Sequence, residues 1–198
     1  MADYDPTERN RGGPVCLPKV GAHASVPLRI IIKMNSNSPE IIIITGEINS
    51  GKTTMLEKFA NEEKAKGVSP TGILARGAVE ENIKIGFDVI DLSTGISMPL
   101  ARVDEPFDKG FAIGKYYFSS DAFKFAQDAL LNFHPRGVVF LDEAGPLELE
   151  GRGHAECLQI LINSDITRLY VSVRTECLEE FVGKFVKANP VKIIRINS

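Results

Sequence analysis

Residues 41–54 read Ile-Ile-Ile-Ile-Thr-Gly-Glu-Ile-Asn-Ser-Gly-Lys-Thr-Thr, so an apolar run ends in a glycine-bounded loop and a helix-forming stretch follows. The spacing matches G-x-x-x-x-G-K-[ST], the pattern of a phosphate-binding P-loop between a strand and a helix. Gly46 and Gly51 permit backbone conformations that turn successive N–H groups towards an anion. The stretch therefore predicts a phosphate cradle with the positive end of a helix beneath it.

The pattern gives each loop position a role. Lys52 is predicted to reach the β- and γ-phosphates and to act in catalysis, and the Thr53 hydroxyl to take one position on Mg²⁺. The predicted nucleotide-binding residues are Gly46, Glu47, Ile48, Asn49, Ser50, Gly51, Lys52, Thr53 and Thr54. A glycine loop that closes a β-α turn without a ligand is the structural alternative, and the order strand, loop and helix argues against it.

Size, charge and cysteine usage limit the classes of protein to consider. The 198 residues, 43% of them hydrophobic, suit one globular domain with a sizeable core. A formal net charge of -3 argues against a nucleic-acid-binding surface, which usually shows a basic stripe. Three scattered cysteines predict neither a disulfide framework nor a zinc site, and the apolar runs are too short to span a membrane. We therefore expect a cytoplasmic protein that binds neither nucleic acid nor membrane.

The domain organisation follows from where turn residues accumulate. We expect residues 1–38 to form a mobile N-terminal extension with at most a short strand over 26–34, and residues 39–198 to form the P-loop domain. Within that domain, residues 72–118 contain too many turns for a crossover helix. This region is therefore predicted to be an antiparallel insertion on a parallel sheet.

Helical and strand patterns alternate through the rest of the domain. Apolar residues at helical spacing predict amphipathic helices over 119–133, 155–162 and 175–188, and apolar runs predict strands over 168–173 and 191–196. This alternation indicates an α/β fold, in which a mostly parallel sheet is covered by helices on both faces. In such folds the ligand lies at the carboxyl ends of the strands.

A second motif resembles a Walker B segment: the apolar run 138–141 ends at Asp142-Glu143. A carboxylate at the end of a strand close to the P-loop can hold Mg²⁺, so Asp142 is predicted to join Thr53 as a metal ligand. Glu143 points elsewhere and can orient or deprotonate an attacking water, which makes it a predicted catalytic residue. Asp142 to Gly145 also fits the D-x-x-G of a GTPase switch, but no later [NT]-K-x-D segment exists, which disfavours a signalling GTPase.

Together these residues resemble a known family, the small P-loop nucleoside-triphosphatases first described from thermophiles and found in humans as the cancer-related nucleoside-triphosphatase. The resemblance spans residues 40–197 and is carried by four segments, at 46–54, 85–89, 99–102 and 141–149; the last is most similar to bacterial and archaeal members. It implies a RecA-like sheet of order 5-1-4-3-2, Mg²⁺-dependent hydrolysis of several nucleoside triphosphates, and nucleotide contacts at both motifs.

The chain departs from that family in two places. Residues 1–38 have no counterpart in the family. Members often carry a basic residue or glycines just before the Gly-Phe-Asp segment, where this chain has Glu80, Glu81 and Asn82. A cationic contact to phosphate from that turn is therefore not predicted.

An arginine is still expected near the γ-phosphate, because the transferring group spreads negative charge over its equatorial oxygens. Arg174 is the leading catalytic candidate, since in the implied sheet order its strand lies between the two motif strands. Arg76 and Arg102 are further candidates. A surface pair of Arg174 with Glu176 or Glu179 is the structural alternative.

The sequence thus favours an enzyme that hydrolyses ATP, GTP and other nucleoside triphosphates to the diphosphate and phosphate. A nucleotide or small-molecule kinase is the enzymatic alternative, although no arginine-rich lid segment is visible. A nucleotide-gated binding switch with little turnover is the alternative from another class, and the catalytic type of Glu143 argues against it.

Overall fold

The computed structural model describes residues 38–103, 105–187 and 189–196. The expected N-terminal extension, including its short strand over 26–34, lies outside the described residues except for position 38. The boundary between extension and P-loop domain therefore stays a prediction.

The described residues form nine strands and five α-helices. The strands are β1 (Glu40–Gly46), β2 (Thr71–Glu80), β3 (Ile83–Asp91), β4 (Ser97–Val103), β5 (Gly110–Ile113), β6 (Tyr116–Ser119), β7 (Val138–Ala144), β8 (Arg168–Arg174) and β9 (Val191–Arg195). The helices are α1 (Lys52–Ala65), α2 (Ser120–Leu131), α3 (Pro146–Leu149), α4 (Ala155–Ile162) and α5 (Leu178–Phe181). Among the residues that the structure describes, no helix has the length and apolar character needed to cross a membrane.

All nine strands belong to one open sheet of order β5-β6-β4-β3-β2-β7-β8-β1-β9. The neighbours from β2 to β9 pair in parallel, and these five strands, numbered among themselves, have the implied order 5-1-4-3-2. The full sheet differs from that order because β3 to β6 extend one edge in antiparallel pairing. The predicted α/β fold is confirmed, with a mixed sheet in place of a mostly parallel one.

The antiparallel insertion begins within β2, close to the predicted residue 72. Residues 71–73 of β2 pair in parallel with β7, and only from Ile73 onwards does β2 pair antiparallel with β3. The first five residues of β2 are buried, as in a strand covered on both faces, whereas the second half is largely exposed. β2 therefore belongs to the parallel sheet at its start and to the insertion at its end.

Burial of β1 on both faces divides the core in two. Ile41 and Ile43 pack on the side of α2, α4 and α5, while Ile42 and Ile44 pack with Leu56 of α1 and its neighbours. Each such side chain contributes about 1.5–3 kcal/mol when it leaves water. This two-sided burial fixes the carboxyl end of β1, where the P-loop begins.

The helix predicted over 175–188 is wrong as a continuous α-helix. A 3₁₀ turn at Thr175–Cys177 precedes the short α5, and a π-helical turn follows at Val182–Val186. The wider π turn lets Phe185 and Val186 both stay buried beside Phe181, a placement for which sequence periodicity gives no signal. Position 188 lies outside the described residues.

The segment between β7 and α4 is held by one buried carboxylate. Glu148 accepts hydrogen bonds from the backbone N–H groups of Gly145 (2.8 Å) and His154 (3.0 Å). The His154 ring is buried against Phe123, with ring centroids 5.2 Å apart. Burial lowers the pKa of His154 from 6.5 to about 4, so the ring is neutral in the fold at pH 7.

His154 should make the fold less stable in acid. Because its pKa is lower in the folded state, the unfolded chain binds the extra proton first, and stability is lost as pH falls from 6.5 towards 4. Urea unfolding from pH 7 to 4 should show a free energy of unfolding that falls by up to about 3 kcal/mol more in the wild type than in His154→Phe. The exposed His134, changed to Gln, is the control. If the free energy of unfolding changed with pH in the same way in the wild type and in His154→Phe, His154 would not be the source of the acid sensitivity.

Candidate functional site

The P-loop backbone has the shape that its glycines predict. Gly46 ends β1 and Lys52 begins α1, and between them Asn49 (φ 63°) and Gly51 (φ 94°) are left-handed. A Cβ on Gly46 would lie 2.5 Å from Ser50 Oγ and 3.2 Å from the Ile196 carbonyl oxygen, so a side chain here would require its neighbours to shift. Such turns direct backbone N–H groups towards a bound anion.

Lys52 reaches into the curve of the loop. Its Nζ donates to the carbonyl oxygens of Gly46 (3.0 Å) and Glu47 (2.7 Å), and the residue is only 6% exposed. Over the part of the chain that the structure describes, Lys52 forms no ion pair. Among the described residues the ammonium group therefore has carbonyl oxygens but no carboxylate as partners, and its charge is available to a phosphate.

Asp142 lies at the centre of a hydrogen-bonded group at the end of β7. Its carboxylate, in a residue only 1% exposed, accepts from the Ala75 N–H (3.1 Å) and from the Ser172 hydroxyl. The Thr53 hydroxyl donates to the Ala75 carbonyl at 3.4 Å, and it lies close enough to Asp142 to lower the pKa of that carboxyl. Burial and the nearby charge of Glu143 raise the pKa of Asp142 to about 6, against the lowering effect of these hydrogen bonds.

The donor set at this point fits Mg²⁺. The Thr53 hydroxyl and the Asp142 carboxylate are hard oxygen ligands on neighbouring side chains, and a cation would offset the cost of burying the carboxylate charge. No group of three or more His, Cys, Asp or Glu that could hold a metal occurs among the described residues. Two protein oxygens, completed by water and phosphate, are typical of Mg²⁺ sites that serve nucleotides.

Glu143 is turned away from Asp142 by its backbone. It has φ 65°, a left-handed conformation that costs a non-glycine residue on the order of 1 kcal/mol or more, and the pairing of β7 with β8 is interrupted there. Its N–H donates to Ser172 Oγ (2.8 Å) and to Asp142 Oδ1 (3.0 Å). These bonds fix the Glu143 backbone directly beside Asp142, and the roles of metal ligand and base remain predictions.

Arg174 lies beside Glu143 at the carboxyl end of β8. Its Nε is 4.0 Å from Glu143 Oε2, and its Nη1 is 3.9 Å from Glu176 Oε1. In the β1–β8 register, Arg174 is the partner of Gly46, the first residue of the P-loop. The structure thus brings Arg174 to the site and also provides part of the alternative surface pairing with Glu176.

The two further arginine candidates are engaged with carboxylates. Arg76 Nη2 lies 2.6 Å from Glu57 Oε1, and Arg102 Nη2 lies 2.6 Å from Asp88 Oδ1. Arg102 also donates to two backbone carbonyls. Both arginines therefore have carboxylate partners in this structure, and their role near a phosphate stays a prediction.

Lys84 is a cation near the site that the sequence reasoning missed. Its Nζ donates to Asn49 Oδ1 of the P-loop at 3.2 Å and lies 4.0 Å from the centroid of the Phe87 ring. The family resemblance points to a basic residue in the turn at positions 80–82. In the structure the β2–β3 hairpin instead brings the start of β3, with Lys84, over the P-loop. The available signal was its position two residues before Gly86 in the family-like segment.

Electrostatics place Lys84 within a cluster of charges at the loop. Burial lowers the pKa of Lys84; the Glu143 carboxylate acts in the opposite direction, and the cations Lys115, Arg174 and Lys52 reinforce the lowering. These four cations lie near one another with Glu143 as the carboxylate among them, and such a positive cluster favours a polyanionic ligand.

Comparison with known proteins gives a family match over most of the chain. A family model described as NTPase matches residues 41–198. This span contains both sequence motifs as well as Lys84 and Arg174.

Two curated relatives are archaeal proteins. The nucleoside-triphosphatase THEP1 of Sulfolobus acidocaldarius is 31% identical over 136 residues, which cover 68% of this chain and 74% of that protein. The nucleoside-triphosphatase THEP1 of Methanopyrus kandleri is 28% identical over 134 residues, covering 67% of this chain and 73% of that protein.

Two solved structures are similar in fold. The solution structure of a human cancer-related nucleoside triphosphatase superposes with a TM-score of 0.65 at 25% identity, covering 80% of this chain and 89% of that one. The crystal structure of THEP1 from Aquifex aeolicus gives a TM-score of 0.61 at 22% identity, covering 79% and 90%. The second likeness supports the fold alone.

Proposed function

Because this chain belongs to the NTPase family, whose model matches residues 41–198, we propose that it hydrolyses nucleoside triphosphates to the diphosphate and phosphate. The resemblance carried by the motifs at 46–54 and 141–149 is confirmed by that match. The observation that most supports hydrolysis is Glu143, which lies 4.0 Å from Arg174 at the sheet end that carries the P-loop.

The P-loop would bind the triphosphate. The backbone N–H groups of residues 46–54 would surround the phosphates, and the Lys52 ammonium would exchange its two carbonyl partners for β- and γ-phosphate oxygens. Thr53 and Asp142 would hold Mg²⁺, which would neutralise negative charge on the phosphates. Thr54, at the start of α1, would contact the α-phosphate.

Glu143 would act on the attacking water. Its carboxylate would align the water or accept its proton while the water oxygen bonds to the γ-phosphorus and the bond to the β–γ bridging oxygen breaks. Arg174 would stabilise the charge that spreads over the equatorial oxygens, and Lys84 would add a second cation from the side of the loop. Each group thus has one task in the same transfer.

The proposed function is tested by measuring phosphate release for ATP, GTP, CTP and UTP, with Mg²⁺ and with EDTA. We expect equal amounts of diphosphate and phosphate from several of the four, and loss of release with EDTA. Tight nucleotide binding without release would favour the binding switch. Release that is unchanged by EDTA would refute the role proposed for Thr53 and Asp142.

Arg174→Ala should lower turnover by at least about tenfold while nearly keeping nucleotide affinity, because the guanidinium would act mainly on the transition state. Initial rates and equilibrium binding of a non-hydrolysable triphosphate measure the two effects. Arg174→Lys should recover only part of the rate, since an ammonium lacks the planar fork. The exposed Arg136, changed to Ala, is the control. Wild-type turnover in Arg174→Ala would refute the catalytic role and leave the surface pairing with Glu176 as the function of the arginine.

We also propose the reducing cytoplasm as its location. Cys157 and Cys177 are buried free thiols, and burial raises the pKa of both. Thiols of this kind suit a compartment in which disulfides do not form.

A further inference from the structure

A cavity of about 300 Å³ opens beside Asp142 and Glu143. P-loop residues 46–54, all of which are described, do not line it, so it is distinct from the cradle in which the phosphates would lie. Arg174 stands at its edge. The cavity therefore extends from the reacting end of the proposed nucleotide site into the domain, at the lower end of the size range of small-molecule pockets.

Three phenylalanines form part of the cavity wall. Phe87, Phe118 and Phe123 come from β3, β6 and α2, and the rings of Phe118 and Phe123 lie with centroids 5.8 Å apart. The rest of the apolar lining is aliphatic: Ile73, Ala75, Leu100, Ile113, Pro146 and Leu147. Walls of this kind favour a flat ring, which can pack against several phenylalanines at once.

Another part of the wall comes from the segment between β7 and α4. Seven of residues 145–154 line the cavity, and the Glu148 carboxylate ties the two ends of the segment together through its bonds to Gly145 and His154. The cavity is therefore preformed, which lowers the entropic cost of binding a small ligand.

Most charged groups in the lining already have partners. Asp142 is hydrogen-bonded within its own group, and Glu150 pairs with Arg152 at 3.3 Å. Glu143 and Arg174, 4.0 Å apart and both partly exposed, are the polar pair that meets the apolar space. A ligand would thus find aromatic walls at one end and a carboxylate with a guanidinium at the other.

We propose that this cavity binds a small aromatic alcohol whose hydroxyl lies against Glu143 and takes the γ-phosphoryl group in place of water. The proposal rests on the nucleotide site described above. The hydroxyl oxygen would bond to the γ-phosphorus, the bond from that phosphorus to the β–γ bridging oxygen would break, and the hydroxyl proton would pass to Glu143. The products are a nucleoside diphosphate and a phosphate monoester, and hydrolysis is the same displacement with water as the nucleophile.

The test uses the full chain with Mg²⁺ and ATP, and 2-(2-naphthyl)ethanol as the probe. Phosphorus NMR measures ADP, free phosphate and the naphthylethyl phosphate in the same sample. We expect ADP to exceed free phosphate, with the ester making up the difference. The matched compound without a hydroxyl, 2-ethylnaphthalene, should bind in ligand-observed NMR but give no ester.

Two variants localise the transfer. Ile113 lies at the cavity rim and is 36% exposed, whereas Ile160 on α4 is 42% exposed and does not line this cavity. Ile113→Trp should reduce the ratio of ester to free phosphate by at least about fivefold because the larger ring narrows the entrance. Ile160→Trp should leave that ratio unchanged.

The outcomes separate the two proposals. Equal ADP and phosphate at every probe concentration, or no binding of either naphthalene compound, would overturn the acceptor site and leave hydrolysis standing. An equal fall of the ratio in both variants would also overturn it. ADP formed only when the alcohol is present would support the acceptor site and refute hydrolysis as the main reaction. No ADP in any sample would refute both the hydrolysis and the transfer.

Discussion

Glu143→Gln is expected to lower turnover by about 10²–10⁴ while nucleotide affinity changes little. Glutamine keeps the size of the side chain but cannot accept a proton, so the water would lose the group that activates it. The triphosphate would still be held by the P-loop amides, Lys52 and the ligands Thr53 and Asp142. Single-turnover hydrolysis and equilibrium binding of ATP measure the two quantities separately.

The same substitution at Glu176 is the control for Glu143→Gln. Glu176 lies 3.9 Å from Arg174 Nη1, whereas Glu143 lies 4.0 Å from Nε, so Glu176→Gln removes a charge of the same kind next to the same arginine. We expect nearly wild-type turnover. Lys52→Ala, in contrast, should weaken both binding and turnover. Hydrolysis at the wild-type rate by Glu143→Gln would refute the role of Glu143 in activating the water.

Lys84→Ala is expected to lower kcat/KM by about 10–10² and to weaken triphosphate binding more than diphosphate binding. Its ammonium lies 3.2 Å from Asn49 Oδ1, close to the charges of Glu143 and Arg174, where it can meet the γ-phosphate. A lysine with only a structural role would change the two affinities alike. Calorimetric titration with ADP and with a non-hydrolysable ATP analogue tells these cases apart.

Lys115→Ala is the matched control, because Lys115 contributes to the same field but is exposed. It should change neither the triphosphate preference nor turnover by more than about twofold. Lys84→Arg should retain most of the binding, since the charge is kept. Equal losses for Lys84→Ala and Lys115→Ala would point to a general field effect and away from a direct phosphate contact.

Local sequence patterns were sufficient to locate the site residues that come directly after a single strand. The P-loop and the Asp142-Glu143 pair each stand where a buried apolar run ends, and the alternation of periods correctly indicates helices on a sheet. The order of the five parallel strands came from the family resemblance, because periodicity does not specify which strands are neighbours.

Lys84 could not be predicted in the same way. Its position depends on the β2–β3 hairpin, whose turn residues Glu81 and Asn82 are left-handed and whose pairing shifts between Ala78 and Val79. These features set how far β3 reaches over the P-loop. The π turn at Val182–Val186 is similar, since it is decided by how Phe185 packs and not by any local signal.

Ser172 joins the two acidic residues of β7 from the neighbouring strand. Its hydroxyl donates to the Asp142 carboxylate and accepts from the Glu143 N–H at 2.8 Å, so one oxygen atom sets both the cation-binding group and the backbone that aims the base. The side chain is fully buried in the central strand β8. A substitution of Ser172 in a natural variant would therefore change metal affinity and the hydrolysis rate together. Neither property could evolve at this position independently of the other.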